Sequence, residues 1–147
     1  MIIVNTPHNP TATTFGVSDW EALEKLTNDT NILILSDEVY EHLVFDQQKH
    51  LSLQGHPELS KRTISVSSFG KTFHSTGWKM GYCVGAADLV SEFKNVHQWN
   101  VFSVNSFVQY ALAEHLQDPS TYNQLPAFFQ KKRDFLAESL HDTPLLP

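Results

Sequence analysis

Lys71 stands among small residues in Ser67-Ser68-Phe69-Gly70-Lys71-Thr72, directly behind the alternating run Thr63-Ile64-Ser65-Val66-Ser67. A second lysine follows in Thr76-Gly77-Trp78-Lys79-Met80-Gly81. A lysine at a strand end with glycine before it has room around its amine and little backbone freedom, as a carbonyl-reactive amine requires. Most lysines are instead solvated surface charges. What lifts Lys71 above that background is its company. Asn9 and Asp37 also lie just past runs that read as strands, and Tyr40 follows Asp37 by three residues, on the same side if that turn is helical. An amine, a carboxylate, a phenol and an amide in one crevice suit a lysine imine to a pyridine aldehyde. Lys71 would form the imine and later carry a proton as a free amine. Asp37 would keep the ring nitrogen protonated, making the ring an electron sink. Tyr40 and Asn9 would donate to a phenolate oxygen, and Ser68 and Lys79 would bind a phosphate. Each residue also has a plainer role: Asp37 as a cap, Asn9 before Pro10 as turn chemistry, Tyr40 as core, Ser68 as a strand end, Lys79 as surface.

For these groups to meet, the elements beneath them must be ordered strands. Met1–Val4 reads as a buried strand, closed by Asn5-Thr6-Pro7-His8-Asn9-Pro10-Thr11, whose prolines cannot continue it. Ser18-Asp19-Trp20-Glu21 has the form of a capping box opening a helix over Trp20, Leu23 and Leu26. Ile32–Leu35 reads as a strand covered on both faces, Thr63–Ser67 as the strand feeding Lys71, and Gly81–Gly85 as a last strand. Helical patterns follow over Asp88–Trp99, Ser106–Leu116 and Pro126–Leu140, with Leu89, Val90 and Phe93 sharing one face and Phe128, Phe135 and Leu136 another. Strands alternating with helices, then helices alone, predict an α/β fold with a mainly parallel sheet flanked by helices and followed by a helical segment. In such sheets ligands bind beyond the carboxyl ends of the strands, where Asn9, Asp37 and Lys71 lie.

Composition narrows the classes. Ten basic against sixteen acidic residues, a formal charge of −6, leave neither a phosphate track for nucleic acid nor a polybasic membrane patch. Cys83 is the single cysteine, excludes an internal disulfide, fits a reducing cytoplasmic compartment, and is expected to be a small buried hydrophobe. The chain opens within a strand and closes on the apolar Leu145-Leu146-Pro147, so it is expected to be a piece of a longer protein.

Asn9-Pro10-Thr11, Ser36-Asp37-Glu38-Val39-Tyr40 and Ser67–Thr72 with Thr76-Gly77-Trp78-Lys79 resemble, in order and separation, the pyridoxal-phosphate aminotransferases of fold type I, classes I and II. The wording Asn5-Thr6-Pro7-His8-Asn9-Pro10 and Ser67–Thr72, with Phe102-Ser103-Val104-Asn105, is most similar to methionine aminotransferases close to the kynurenine/glutamine transaminase subgroup. The resemblance spans essentially the whole chain. It implies pyridoxal 5'-phosphate as cofactor and Lys71 as the Schiff-base lysine. By the same resemblance Asp37 partners the pyridine nitrogen, Asn9 and Tyr40 the phenolic oxygen, and Ser68 and Lys79 the phosphate. Many relatives carry arginine where Lys79 stands; lysine keeps the charge and loses the bidentate fork. Substrates would be an amino acid, methionine or another large neutral or aromatic one, and a 2-oxo acid. A homodimer is implied, with Phe102 where relatives send an aromatic side chain across the interface.

Such enzymes are usually far longer. Residues 1–147 are expected to form part of the large, cofactor-binding domain, without the upstream strands and glycine-rich phosphate loop and without the C-terminal small domain. Arg133, in a helix of the wrong region for a substrate-gripping arginine, is expected at the surface. The same lysine and aspartate would also serve a carbon–sulfur β-lyase, and a truncated, inactive domain is a further alternative. Gly70-Lys71-Thr72 is not a phosphate-binding P-loop, because Ser65 stands where that pattern needs glycine. None of the eight histidines pair at metal-ligand spacing; His8, His74 and His97 lie near the site segments. No glycine elbow supports a serine nucleophile.

Overall fold

A computed structural model describes residues 1–145. Strands β1 (Ile2–Asn5), β2 (Ile34–Asp37), β3 (Thr63–Ser68) and β4 (Gly81–Gly85) form one sheet in the order β1-β2-β3-β4. The first three are parallel, and β4 runs antiparallel to β3. Helix α1 (Val17–Thr27) makes the crossover between β1 and β2. Beyond the sheet lie α2 (Phe69–Thr72), α3 (Ala87–Asn100), α4 (Ser106–His115), α5 (Ser120–Asn123) and α6 (Leu125–Leu140). The mainly parallel α/β arrangement is the one the alternating pattern predicts.

The core forms where α1 meets the sheet. Trp20, Leu23, Ile34, Leu53 and Leu59 are buried together, with Ile2, Val4 and Phe15 packed against them. Trp20 lies against Phe15, ring centroids 4.9 Å apart, and donates its indole N–H to the Leu51 carbonyl at 3.2 Å, so its one polar atom is satisfied. Beside this core a polar knot closes the sheet. Glu38, 3 % exposed, accepts hydroxyl hydrogen bonds from Ser36 and Ser65, each at 2.8 Å, and the Leu53 N–H at 3.3 Å. Its other oxygen meets His50 Nε2 at 2.8 Å; a carboxylate only accepts, so that nitrogen carries the proton.

Several expectations shift. The cap of helix α1 lies two residues earlier than Ser18: Gly16 is its N-cap, and the Asp19 carboxylate accepts the Gly16 N–H at 2.7 Å. An acidic side chain three residues into the helix performs the capping, so Ser18 is not needed. Leu26 is 73 % exposed, and Thr27 takes the inward position, its hydroxyl donating to the Leu23 carbonyl. Strand β2 is displaced two residues toward Asp37, which ends the strand rather than following it. Within β2, Ile34 and Ser36 are buried while Leu35 and Asp37 are half-buried, so β2 is not fully covered on both faces. Cys83 is half-buried rather than buried, because β4 is an edge strand here. Helices α3 and α6 bury no residue fully, and Phe93, Phe135 and Leu136 are exposed. Pro119 starts the short α5, which the break at Asp118-Pro119-Ser120 conceals in the sequence.

Arg133 lies at the surface, as expected, and is held there by partners. Its two terminal nitrogens reach both oxygens of Asp46 at 2.6 Å, its guanidinium stacks 5.0 Å from the Phe45 ring, and Gln130 accepts the Asp46 N–H at 2.9 Å. These contacts dock α6 onto the turn after Tyr40. The expected apolar close of the chain falls partly on residues 146 and 147, outside the described residues.

Candidate active site

Parallel pairing sets the carboxyl ends of β1, β2 and β3 side by side: Asn5 pairs with Asp37, and Asp37 with Val66. Because β4 is antiparallel, its first residue Gly81 lies opposite Ser68, so the turn carrying Lys79 returns to the same edge. All six residues singled out in the sequence therefore stand at one end of the sheet. The loop after β1 is tied to Asp37 by backbone and side chain alike. Thr6 N–H and Asn5 Nδ2 both donate to the Asp37 carbonyl, at 3.0 and 3.1 Å, and Asn5 Oδ1 accepts the Asn9 N–H at 2.9 Å. Asn5 thus fixes Asn9 relative to Asp37. The sequence offered only an asparagine at a strand end as a signal for this.

Strand β3 passes into α2, a single helical turn that carries Lys71 on its outer side. Gly70 is buried because the chain folds back on it: a Cβ there would sit 2.8 Å from the Thr76 Cα, inside any real contact. The Gly70 carbonyl accepts the Ser75 N–H at 3.0 Å and the Thr76 hydroxyl at 3.1 Å. Glycine before the lysine is therefore a packing requirement that draws Thr76–Lys79 against the Lys71 turn. Lys79 ends this segment in the left-handed region, φ 55°, and is exposed. Gly81 allows a second close approach, since a Cβ there would meet the Ser67 carbonyl oxygen at 2.5 Å.

Tyr40 rides on the turn after β2. That turn is not a helix: Glu41 N–H bonds the Glu38 carbonyl at 2.9 Å, Leu43 N–H the Tyr40 carbonyl at 2.8 Å, and Asp37 Oδ1 accepts the Val39 N–H at 3.2 Å. Asp37 therefore does shape its own turn, and the carboxylate keeps a second oxygen for another partner. The turn brings Tyr40 to the others. Asn9 Nδ2 lies 3.5 Å from the Tyr40 hydroxyl, and Lys71 Nζ is 5.9 Å from the centre of the Tyr40 ring. Tyr40 is a wall shared by two clefts. On one side a cleft of about 190 Å³ is lined by His8, Asn9 and Phe45 among others. On the other a crevice of about 30 Å³ lies between Lys71 and Leu125 and Phe129 of α6, room for a single water. Larger clefts, of about 340 and 450 Å³, contain none of the six residues, so size does not mark this site.

Asn9 and Lys71 thus each reach Tyr40, and the Asp37 backbone is joined to Asn9 through the Asn5 bonds. Ser68 and Lys79 share their edge of the sheet by register alone. His8 lines the Asn9 cleft and bonds Thr11 Oγ1 at 2.8 Å, whereas His74 lines a separate cleft and His97 stacks on Phe93. Phe102, φ 65°, is 80 % exposed. Charge around the turn is well defined. Burial pushes the Glu38 carboxyl up, but hydrogen bonds led by His50 outweigh it and hold the group below its ordinary range. Burial holds the His42 imidazole below its usual value. The Tyr82 phenol is pushed up to about 12, by burial first and then by its bond to Glu41. Glu38 and Glu41 were not singled out from the sequence, where nothing local marks their long-range partners. Chemically, the six residues comprise an amine, a carboxylate, a phenol, an amide, a hydroxyl and an ammonium at one end of the sheet, groups that could hold an aldehyde-bearing pyridine phosphate. Among the described residues no cluster of acidic, His and Cys side chains could hold a metal, and no helix is long and apolar enough to cross a membrane.

Comparison with known proteins points the same way. The family model for aminotransferase class I and II matches residues 1–146. The chain is 48 % identical over 146 residues to methionine aminotransferase of Escherichia coli (strain K12), covering 99 % of this chain and 38 % of that protein. It is 36 % identical over 152 residues to kynurenine–oxoglutarate transaminase of Dictyostelium discoideum, covering all of this chain and 35 % of the relative. Among solved structures, an Escherichia coli protein reported with a methionine aminotransferase function superposes with a TM-score of 0.94 at 48 % identity, over 97 % of this chain and 38 % of that one. N-succinyldiaminopimelate aminotransferase from Mycobacterium tuberculosis superposes with a TM-score of 0.82 at 35 % identity, over 95 % and 37 %. The chain spans little more than a third of the length of these relatives.

Proposed function

The chain belongs to the class I and II aminotransferases, and from that premise we propose that it forms the lysine-bearing part of the large domain of a pyridoxal-phosphate transaminase. The reaction moves an amino group between an amino acid and a 2-oxo acid, and methionine or another large neutral or aromatic amino acid is the donor. The donor assignment rests on the 48 % identity to a methionine aminotransferase. The full protein works as a homodimer with the exposed Phe102 at the subunit boundary.

The observation that carries the reading is the reach of Lys71 Nζ to Tyr40, whose hydroxyl is within 3.5 Å of Asn9 Nδ2, at the carboxyl ends of parallel strands. Pyridoxal 5'-phosphate, when bound, supplies an electron sink for the charge that develops at the substrate Cα. Lys71 would hold the cofactor through its amine, the aldehyde oxygen leaving as water, and as a free amine would move the proton that leaves that Cα. Asp37 would hold a proton on the ring nitrogen, and Tyr40 and Asn9 would donate to the phenolate oxygen. Ser68 and Lys79 take the phosphate, Lys79 as a point charge.

The test is Lys71→Ala in the full-length protein. The visible absorbance of lysine-bound cofactor should disappear, with turnover of methionine and a 2-oxo acid lost alongside it; a visible band unchanged in the variant would sink the assignment.

A further inference from the structure

Tyr40 stands between two carboxylates that are both pinned to β3. Ser65 and Ser67 are two residues apart on that strand, so their hydroxyls face the same side of the sheet. Glu38 accepts from Ser65 at 2.8 Å, and Glu41 accepts from Ser67 at 2.7 Å. Glu41 Oε1 takes a second bond, from the Tyr82 hydroxyl at 2.6 Å. Tyr82 lies directly opposite Ser67 in the antiparallel β3–β4 pair, which is why the two hydroxyls converge on one oxygen. The Tyr82 ring also touches Phe69, centroids 5.1 Å apart, at the first position of the turn that carries Lys71. Short bonds to an ionised acceptor are the stronger kind. Glu38 belongs to the buried knot beneath the sheet, whereas Glu41 adjoins Tyr40 and spans to the two strands that lead into and out of the Lys71 loop.

We propose that Glu41, bonded to Ser67 and Tyr82, is a positioning residue that sets the Tyr40 phenol at its distance from the Lys71 amine. The proposal rests on the roles given above to Lys71 and Tyr40. Glu41 works through geometry: it locks the Tyr40 turn to the β3–β4 pair, so that phenol and amine are held in one frame. Its nearest other titratable neighbour is His42, with Nε2 3.8 Å from the same oxygen. Since one oxygen receives both hydroxyls, glutamine can replace glutamate and keep both bonds through its carbonyl oxygen.

The test uses the full-length, cofactor-loaded protein and its Glu41→Ala, Glu41→Gln and Tyr82→Phe variants. The readouts are the pH midpoint of the change in the visible cofactor band and the melting temperature of the cofactor-free protein. A phenol hydrogen-bonded to the phenolate oxygen draws off negative charge and so weakens the hold on the neighbouring nitrogen's proton. With Tyr40 displaced, that proton is held to higher pH. Glu41→Ala is expected to raise the midpoint by about half a pH unit or more, Tyr82→Phe by less, and Glu41→Gln to leave it at the wild-type value. If Glu41→Ala does not fold, Tyr82→Phe alone decides, by a raised midpoint or an unmoved one. A melting temperature that falls while the midpoint stays put would overturn the proposal, leaving Glu41 a purely structural bond. A midpoint raised equally in Glu41→Gln would overturn it in favour of charge. A wild-type protein without a Lys71-dependent band would instead overturn the cofactor reading itself, and the proposal with it.

Discussion

Gly70→Ala probes the join between the lysine turn and the returning chain. The added methyl would sit 2.8 Å from the Thr76 Cα and 3.3 Å from both the Thr76 nitrogen and Ser68 Oγ. Ordinary contact begins near 3.4 Å and is comfortable toward 4 Å, so the two segments must part by about 1 Å. The obstacle is backbone, which cannot rotate away as the end of a side chain can. The two hydrogen bonds on the Gly70 carbonyl oppose the separation as well. Overpacking of this kind costs about 1–3 kcal/mol. It also carries Lys71 away from Tyr40, or Lys79 away from Ser68. A misplacement of ~1 Å in a positioned site lowers turnover on the order of 100-fold. The assay is single-turnover kinetics of the full-length variant, with thermal melting alongside. A variant with the wild-type melting temperature and turnover would refute the claim that close backbone approach at Gly70 sets this site.

Two further outcomes are expected. Glu38→Gln should destabilise by about 1–3 kcal/mol in urea melts: the amide oxygen can keep the Ser36, Ser65 and Leu53 bonds, but the amide N–H group then faces the His50 Nε2–H, which loses its acceptor. The Glu38 carboxyl is held below its ordinary value of 4.5, so its contribution is complete above that pH and is lost as pH falls through the lower folded value. The variant should accordingly show a flatter loss of stability below pH 4.5 than the wild type; identical profiles would mean the knot adds nothing through its charge. Asp37→Ala in the full-length protein should cut kcat far more than cofactor occupancy if, as proposed, the carboxylate acts on the ring nitrogen. Activity retained in that variant, measured beside bound cofactor, would reduce Asp37 to the acceptor for the Val39 amide.

Strand positions and the convergence at their ends were legible because short apolar runs bounded by proline, glycine and polar residues leave few alternatives. Strands β3 and β4 fall within a residue of the pattern, and β2 slips by two because Ser36 and Asp37 carry no apolar mark although they complete the ladder. The cap of α1 was misplaced for a related reason: an aspartate three residues into a helix can serve the residue before it, and several small residues compete for that place. What the sequence hid are long-range side-chain bonds. Asn5 reaching Asn9 and Asp37, Glu41 reaching Ser67 and Tyr82, and Arg133 reaching Asp46 each depend on register or on helix docking, which local spacing does not encode. The exposed faces of α3 and α6 show the same limit from the other side, since their apolar spacing does not say which surface covers them.

The central claim is that Lys71 holds the cofactor, and it is tested most directly by trapping. The full-length protein, loaded with pyridoxal 5'-phosphate, is reduced with borohydride, digested and sequenced by mass spectrometry. A stable pyridoxyl adduct on the peptide carrying Gly70-Lys71-Thr72, at Lys71 itself, is the predicted result. An adduct on any other lysine, with Lys71 unmodified, would contradict it.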